Sequence, residues 1–256
     1  MTSWTVSRGR PLFATDNRRS GWVAGVDACR AGWLVVLRDA SVGASRIQVA
    51  SNFSTVLALS EAPQVIAIDV PIGLLAFGRD RGRECEALAR RCLGKRSPSV
   101  FSAPSRAALA AFRAGKLYPE VSAANGGAWG GPGISQQAFG ILQKISEVDA
   151  QMTPELQAVV HEIHPELCFA VANGGEAMVH KKKSAEGRAE RLSVLAGLGF
   201  GTFLENLVRP KGAQWDDVLD ACVACWTATR IADGTAVVTP PQPAIDARGL
   251  RMELWA

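Results

Sequence analysis

No apolar run in this sequence approaches the roughly 20 residues that a helix needs to span a bilayer, so no helical membrane span is expected. The opening stretch "MTSWTVSRGRPLFATDNRRS" lacks the apolar core and the small-residue cleavage pattern of a secretory signal, and residues 1–20 read as a flexible N-terminal tail. There is no second C-x-x-C to complete a zinc site with Cys222 and Cys225. That pair sits inside the helical pattern "DDVLDACVACWTATRIA", away from a helix start that would lower a thiol pKa, and reads as core packing. The six cysteines are scattered through a chain large enough to fold without staples, which points to reduced thiols and a cytoplasmic setting. Neither sign of charge dominates: a formal net charge of +4 permits an anionic partner and demands none. Repeats and low-complexity tracts are absent too, and 256 residues that are 48% hydrophobic can bury one sizeable core. The expected organisation is a single domain over residues 21–256.

What is present begins with three short β-rich runs, "WVAGVD", "GWLVVLRD" and "RIQVASNF", separated by turn residues and predicting an antiparallel meander. "STVLALSEA" predicts a short helix. "QVIAIDVPIGL" is almost wholly apolar up to Asp69, the pattern of a strand covered on both faces, and Pro71 and Gly73 end it. Residues 79–160 change character, with helical patterns joined by Gly/Pro/Ser loops, and read as a helical insertion after the fourth strand. "AVVHEIHPELCFAVANG" is expected to return as a fifth strand centred on His161 to Phe169, followed by a helix in "KKKSAEGRAERLSVLAGLG". A last long helix runs from near Asp216 to about Ala232, and "LRMELWA" is expected as a final strand. The fold class is therefore α/β, a mixed five-stranded sheet flanked by helices.

Two of the strand patterns end in a carboxylate, Asp27 and Asp69. Neighbouring parallel strands present their C-terminal ends at one sheet edge, where ligands bind, so the two aspartates are expected together. Carboxylates so placed repel unless positive charge lies between them, and hard oxygen donors suit Mg2+ or Mn2+. In "WDDVLDA", Asp217 and Asp220 share one helix face. Asp216 reads as the cap; Asp217 and Asp220 read either as dipole-favouring surface charges or as further metal ligands, and Asp220 precedes the apolar "ACVACW". Together the four form a candidate cluster for two metal ions about 3.5 to 4 Å apart, the arrangement that activates water and stabilises a leaving oxygen in phosphodiester cleavage.

The ordered blocks "GVDACRAGW", "IDVPIGL", "RECEALARRCLGKRSPSVFSAPSR", "SQQAFGILQKISEVD", "EIHPELCF", "KKKSAEGRAERL" and "DDVLDA" resemble the family called domain of unknown function 429, described as predicted nucleases with a ribonuclease H-like fold. The resemblance spans about residues 21–250. It implies a ribonuclease H-like sheet with acidic residues at the end of the first strand, on the fourth and on the last helix, places matched here by Asp27, Asp69, Asp217 and Asp220. It also implies a metal-dependent nuclease using Mg2+ or Mn2+ and nucleic acid as partner, and admits a homodimer. The helical insertion falls where compact nucleases of this fold have a short helix.

"HEIHPE" is no zincin helix, because Pro165 and the strand pattern exclude it. On a strand, Glu162, His164 and Glu166 share one face, so Glu166 is a candidate further ligand or base, or a hydrogen-bonded structural residue. His164 is open to the same two readings. Lys181, Lys182, Lys183, Arg188 and Arg191 form a basic stretch, and Lys95, Arg96 and Arg106 another. Lys183, Arg188, Arg106 and Arg96 are the candidate substrate-phosphate contacts, with solvated loops as the alternative. Glu147 and Asp149 read as a family block or as ordinary surface charges.

Two other functions stay open. A nucleotide-dependent phosphotransferase of the same fold needs a Gly/Thr/Ser-rich hairpin after the first aspartate, and "DACRAGW" offers one glycine there. A non-catalytic binding scaffold is the other.

Overall fold

The computed structural model describes residues 21–256, so the expected flexible tail over residues 1–20 lies outside the described residues. Strand β1 (Trp22–Cys29) pairs antiparallel with β2 (Gly32–Asp39), and β2 with β3 (Ser45–Ala50), as the meander pattern predicts. The β1–β2 turn is only Arg30 and Ala31, since Cys29 pairs with Gly32. Gly32 adopts φ +137°, and a Cβ there would lie 2.2 Å from the Ala50 carbonyl oxygen, so no side chain fits. A short helix, α1 (Phe53–Leu57), capped by Asn52, leads to β4 (Val65–Ile68), which lies parallel to β1.

The connection that follows carries α2 (Glu84–Leu93), α3 (Arg106–Arg113), α4 (Tyr118–Gly126), α5 (Gln136–Gly140) and α6 (Leu142–Gln151) before β5 (Val160–Glu162) pairs parallel with β4. Then come α7 (Pro165–Ala172), α8 (Ala185–Leu195), α9 (Gly201–Glu205), α10 (Trp215–Ala232), β6 (Val238–Thr239) and β7 (Leu254–Trp255). The result is a mixed five-stranded sheet in the order β3-β2-β1-β4-β5, with β6 and β7 as a separate small pair. Among the described residues no helix is long and apolar enough to cross a membrane.

One element departs from the sequence pattern. The fifth strand stops at Glu162 instead of running to Phe169, and Pro165 opens a helix. Proline suits the first helical turn because its missing N–H is one that would go unpaired there, and its fixed φ is already helical. "PELCFAV" is apolar on nearly every side because α7 is buried, so composition alone gives it no helical face. Glu162 and Glu166 therefore do not share a strand face. The final strand is likewise shorter than "LRMELWA": Leu254 and Trp255 pair with β6, and Trp255 bridges to Ile163.

The sheet divides two apolar layers. Val23, Val65 and Ala67 face the layer built around α10, while Ala24, Val26, Ile66 and Ile68 face the insertion helices. Helix α10 lies directly on β1, and the contact is set at Gly25: a Cβ there would meet the Cys225 amide nitrogen at 2.0 Å and the Ala221 carbonyl oxygen at 2.2 Å. Cys222 and Cys225 are fully buried free thiols in this layer, in keeping with core packing. Gly25→Ala is expected to destabilise the fold by about 3 kcal/mol or more, because backbone on both sides must move; urea unfolding beside the native chain measures it.

Candidate functional site

Asp27 occupies the same side of β1 as Val23 and Gly25, and Asp69 follows β4 in the same alternation as Val65 and Ala67, so both carboxylates emerge on the α10 side of the sheet. The Asp69 amide donates to the Val26 carbonyl at 3.1 Å, which locks the two strand ends side by side. Asp220, only 2% exposed, stands on α10 one residue before the Ala221 carbonyl that approaches Gly25. The backbone contact that brings helix to sheet thus brings Asp220 to Asp27 and Asp69. Asp217 stands one turn earlier; one of its oxygens accepts from the Gln214 amide at 2.7 Å and caps the helix.

Burial raises the proton affinity of Asp27 well above the usual carboxylate range, and the charges of Asp69 and Asp220 raise it further. Asp69 is pushed up to about 7, by burial first and by Asp220 second. Burial also raises Asp220 and Asp217. The opposing charge is Lys182, whose Nζ donates to Asp220 Oδ2 at 2.7 Å and lowers the proton affinity of Asp27, Asp69 and Asp220 alike. Burial works against the lysine's own charge, yet the three aspartates hold it protonated far above neutrality. Asp27, Asp69, Lys182, Asp217 and His164 line one cavity of about 220 Å³.

The chemistry of this donor set, oxygens only and mutually repelling, fits a hard divalent cation. The arrangement is not a finished cage. Lys182 stands where a further ligand or ion would balance the carboxylates, and among the described residues no group of three His, Cys, Asp or Glu side chains is gathered closely enough to hold a metal.

The other sequence candidates are placed elsewhere. Glu166, in the first turn of α7, does not point at the aspartates as a ligand or base: it accepts from Arg191 at 2.5 Å and from Arg96 Nη2 at 3.1 Å. Burial works the other way, but the Arg96 hydrogen bond and the Arg191 charge keep its pKa below the usual glutamate value. Arg96 is therefore spent on Glu166, and Arg106 on Asp149 and Asp246, so neither is a free phosphate contact. Arg188 stacks 4.2 Å above the Trp215 ring. Lys183 remains exposed, near enough to Asp217 to oppose its proton affinity. Asp149 is no ordinary surface charge; it is buried beneath Arg106, Arg113 and Arg248, and Glu147 accepts from the Trp33 indole at 2.8 Å. His164 Nε2 lies 3.3 Å from the Ser99 carbonyl, and its Nδ1 has no partner.

Sequence reasoning left two residues out of the site. Lys182 was legible only as one of three consecutive lysines; its signal is the position two residues before the Ser184 cap of α8, which anchors the loop. Arg83, 2% exposed, was unmarked. It clasps Glu162 through two nitrogens at 2.5 and 2.8 Å and Glu86 at 2.6 Å, and so ties α2 of the insertion to the end of β5 beside the aspartate edge.

A family model described as "Protein of unknown function (DUF429)" matches residues 25–245, which covers both strand aspartates, the clasp and α10. The chain belongs to the DUF429 family. No curated protein and no solved structure matches it. Within this DUF429 chain the matched span ends at Ile245, so β7 lies beyond it.

Arg83→Met is expected to cost about 3 to 5 kcal/mol, because Glu162 and Glu86 would be left buried and unpaired; chemical denaturation measures the loss, and adding Glu162→Gln should recover part of it. A second expectation concerns His161, buried edge-on against Trp255. Burial first, and the Arg251 charge second, lower its pKa from 6.5 to about 4. The unfolded chain then binds the extra proton between those values, so stability falls as pH drops from about 6.5 to about 4, by roughly 3 kcal/mol. Thermal melts across that range should show the decline, and His161→Phe should flatten it.

Proposed function

We propose that this DUF429 protein is a metal-dependent nuclease of ribonuclease H-like fold that hydrolyses phosphodiesters in nucleic acid. The observation that carries the proposal is the convergence of Asp27 and Asp69, on adjacent strand ends tied by the Asp69 amide, with Asp220 on the facing turn of α10, close enough that the charge of Asp220 raises the proton affinity of both strand aspartates while Lys182 opposes it. Such a cluster favours whatever brings more positive charge. The order β3-β2-β1-β4-β5, with β2 antiparallel to its neighbours, supports the ribonuclease H-like assignment.

Asp27 and Asp69, fixed at adjacent strand ends, would supply the first oxygens to Mg2+ or Mn2+; Asp220 and Asp217 stand across from them on α10 and would have to draw closer to join the shell, because the carboxylates are not gathered into a ligand cage as they stand. A divalent ion so held supplies Lewis acidity and a water of lowered pKa. The chain's own contribution is positional: Gly25 fixes the distance of α10 from the sheet, the Asp69 amide fixes the strand ends, and Lys182 moderates repulsion among the carboxylates. Asp27 and Asp220 are buried, which strengthens the charge interactions between them.

Asp27→Asn is nearly isosteric and is expected to abolish Mg2+- or Mn2+-dependent cleavage of single-stranded, duplex and branched DNA and RNA substrates, with the fold intact by circular dichroism. Cleavage that survives in this variant would remove the mechanism.

Lys182 favours a second reading, a non-catalytic scaffold whose acidic edge is already balanced by an internal ammonium. Calorimetry with Mn2+ separates the two. A nuclease site is expected to bind Mn2+ more tightly in Lys182→Ala, where the competing charge is gone, whereas a scaffold gives no binding heat in either protein.

A further inference from the structure

The acidic cavity has a larger neighbour of opposite charge. A cavity of about 660 Å³ opens between the loop before α2, the body of α2 and the glycine-rich segment before α5. Four arginines, Arg79, Arg81, Arg90 and Arg91, stand on its wall against a single carboxylate, Asp80. This size is that of a pocket for a nucleotide-sized ligand, and the charge selects an anion.

The four arginines divide into two kinds. Arg90 is built into the wall: its guanidinium donates to the carbonyls of Val100 and Arg81 at 2.8 and 2.9 Å and to the Ser102 hydroxyl at 2.8 Å, stitching both rims to α2. Arg79, Arg81 and Arg91 are exposed, and their guanidinium groups have no hydrogen-bond or ion-pair partner among the described residues. Elsewhere the arginines are heavily engaged: Arg83, Arg96, Arg106, Arg113, Arg191, Arg248 and Arg251 all pair with carboxylates. Three free forked donors around one cavity are therefore a local exception, and their planar fork matches the oxygens of phosphate.

The two cavities also share a wall. Val100 and Phe101 line both. A partly exposed aromatic ring between a basic groove and the reacting edge is the pairing by which single strands are held, backbone on the cations and a base on the ring.

We propose that the arginine-lined cavity binds the phosphodiester backbone of a single-stranded nucleic acid, with Arg79, Arg81 and Arg91 on its phosphates and Phe101 beneath a base, and feeds the strand toward Asp27 and Asp69. The destination rests on the nuclease reading; the binding itself does not.

The test uses fluorescently labelled single-stranded DNA and RNA oligonucleotides, the full chain and the chelator EDTA, so that no cleavage is needed. Fluorescence anisotropy is expected to show binding that weakens at least tenfold in the triple variant Arg79→Ala, Arg81→Ala, Arg91→Ala. The slope of log affinity against log salt should shrink by about 2, given about 0.7 for each lost phosphate contact on a single strand. Phe101→Leu should weaken binding with no change in that slope. Thermal unfolding of both variants at the native temperature shows that the fold is kept. Undiminished binding in the folded triple variant, or no binding by the native chain, overturns the proposal. Competition by a mononucleotide as strong as that by the oligonucleotide also overturns it, since the cavity would then take a single nucleotide. Arginine-dependent binding without cleavage in any metal would leave this site standing and refute the nuclease, while Asp27-dependent cleavage insensitive to the arginines would do the reverse.

Discussion

Everything at the acidic edge depends on how closely α10 can lie on β1. The backbone of the helix at Ala221 and Cys225 occupies the space that a side chain at Gly25 would fill. An ordinary helix-on-sheet distance would carry Asp220 away from Asp27 and Asp69, and the mutual repulsion that marks the site would fade with distance. Ala221, Cys222, Ala224, Cys225 and Ala228 of α10 are all small and fully buried, so no bulky side chain at these positions props the helix away from its neighbours. Packing and chemistry are here one constraint: the residue that has no side chain determines how three others interact.

Around that contact the protein has placed an unusual amount of buried charge. Glu162 and Glu86 with Arg83, Glu166 with Arg96 and Arg191, and Asp149 with Arg106, Arg113 and Arg248 are each paired with opposite charge. A buried pair of this kind adds little net stability, but either member alone is costly, so each pairing fixes where its elements must lie. The aspartate cluster differs because Asp27, Asp69 and Asp220 share the one ammonium of Lys182. Saturated pairs hold the frame; the unsaturated cluster is where charge is still wanted.

The sequence made some of this visible and hid the rest for identifiable reasons. Asp27 and Asp69 stand out because each interrupts an apolar strand, and a charge in that place has few structural uses. Asp220 is legible for the same reason, lying against the buried run of α10. The insertion was legible as a change from two-residue to helical periodicity. Hidden were features that depend on partners far along the chain. Arg106 looked like a free cation because Asp149 and Asp246 are distant in sequence, and Arg96 because Glu166 seemed to lie on a strand. That strand was over-extended because α7 is buried on all sides and so shows no amphipathic period. Lys182 was masked by its neighbours Lys181 and Lys183, which have the same chemistry and no such partner.

The long excursion between β4 and β5 also has a kinetic consequence. The meander β1–β2–β3 closes through short turns, and so forms at little entropic cost. The pairing of Ile68 with Glu162 instead joins points separated by the whole insertion, and a loop of that length must be drawn shut before the contact rewards it. The Arg83 clasp shortens the journey: once α2 has docked, Glu162 has a charged anchor waiting near the sheet edge. The central sheet is thereby complete only when the loop carrying the insertion helices is closed, so the insertion and the sheet edge depend on one another.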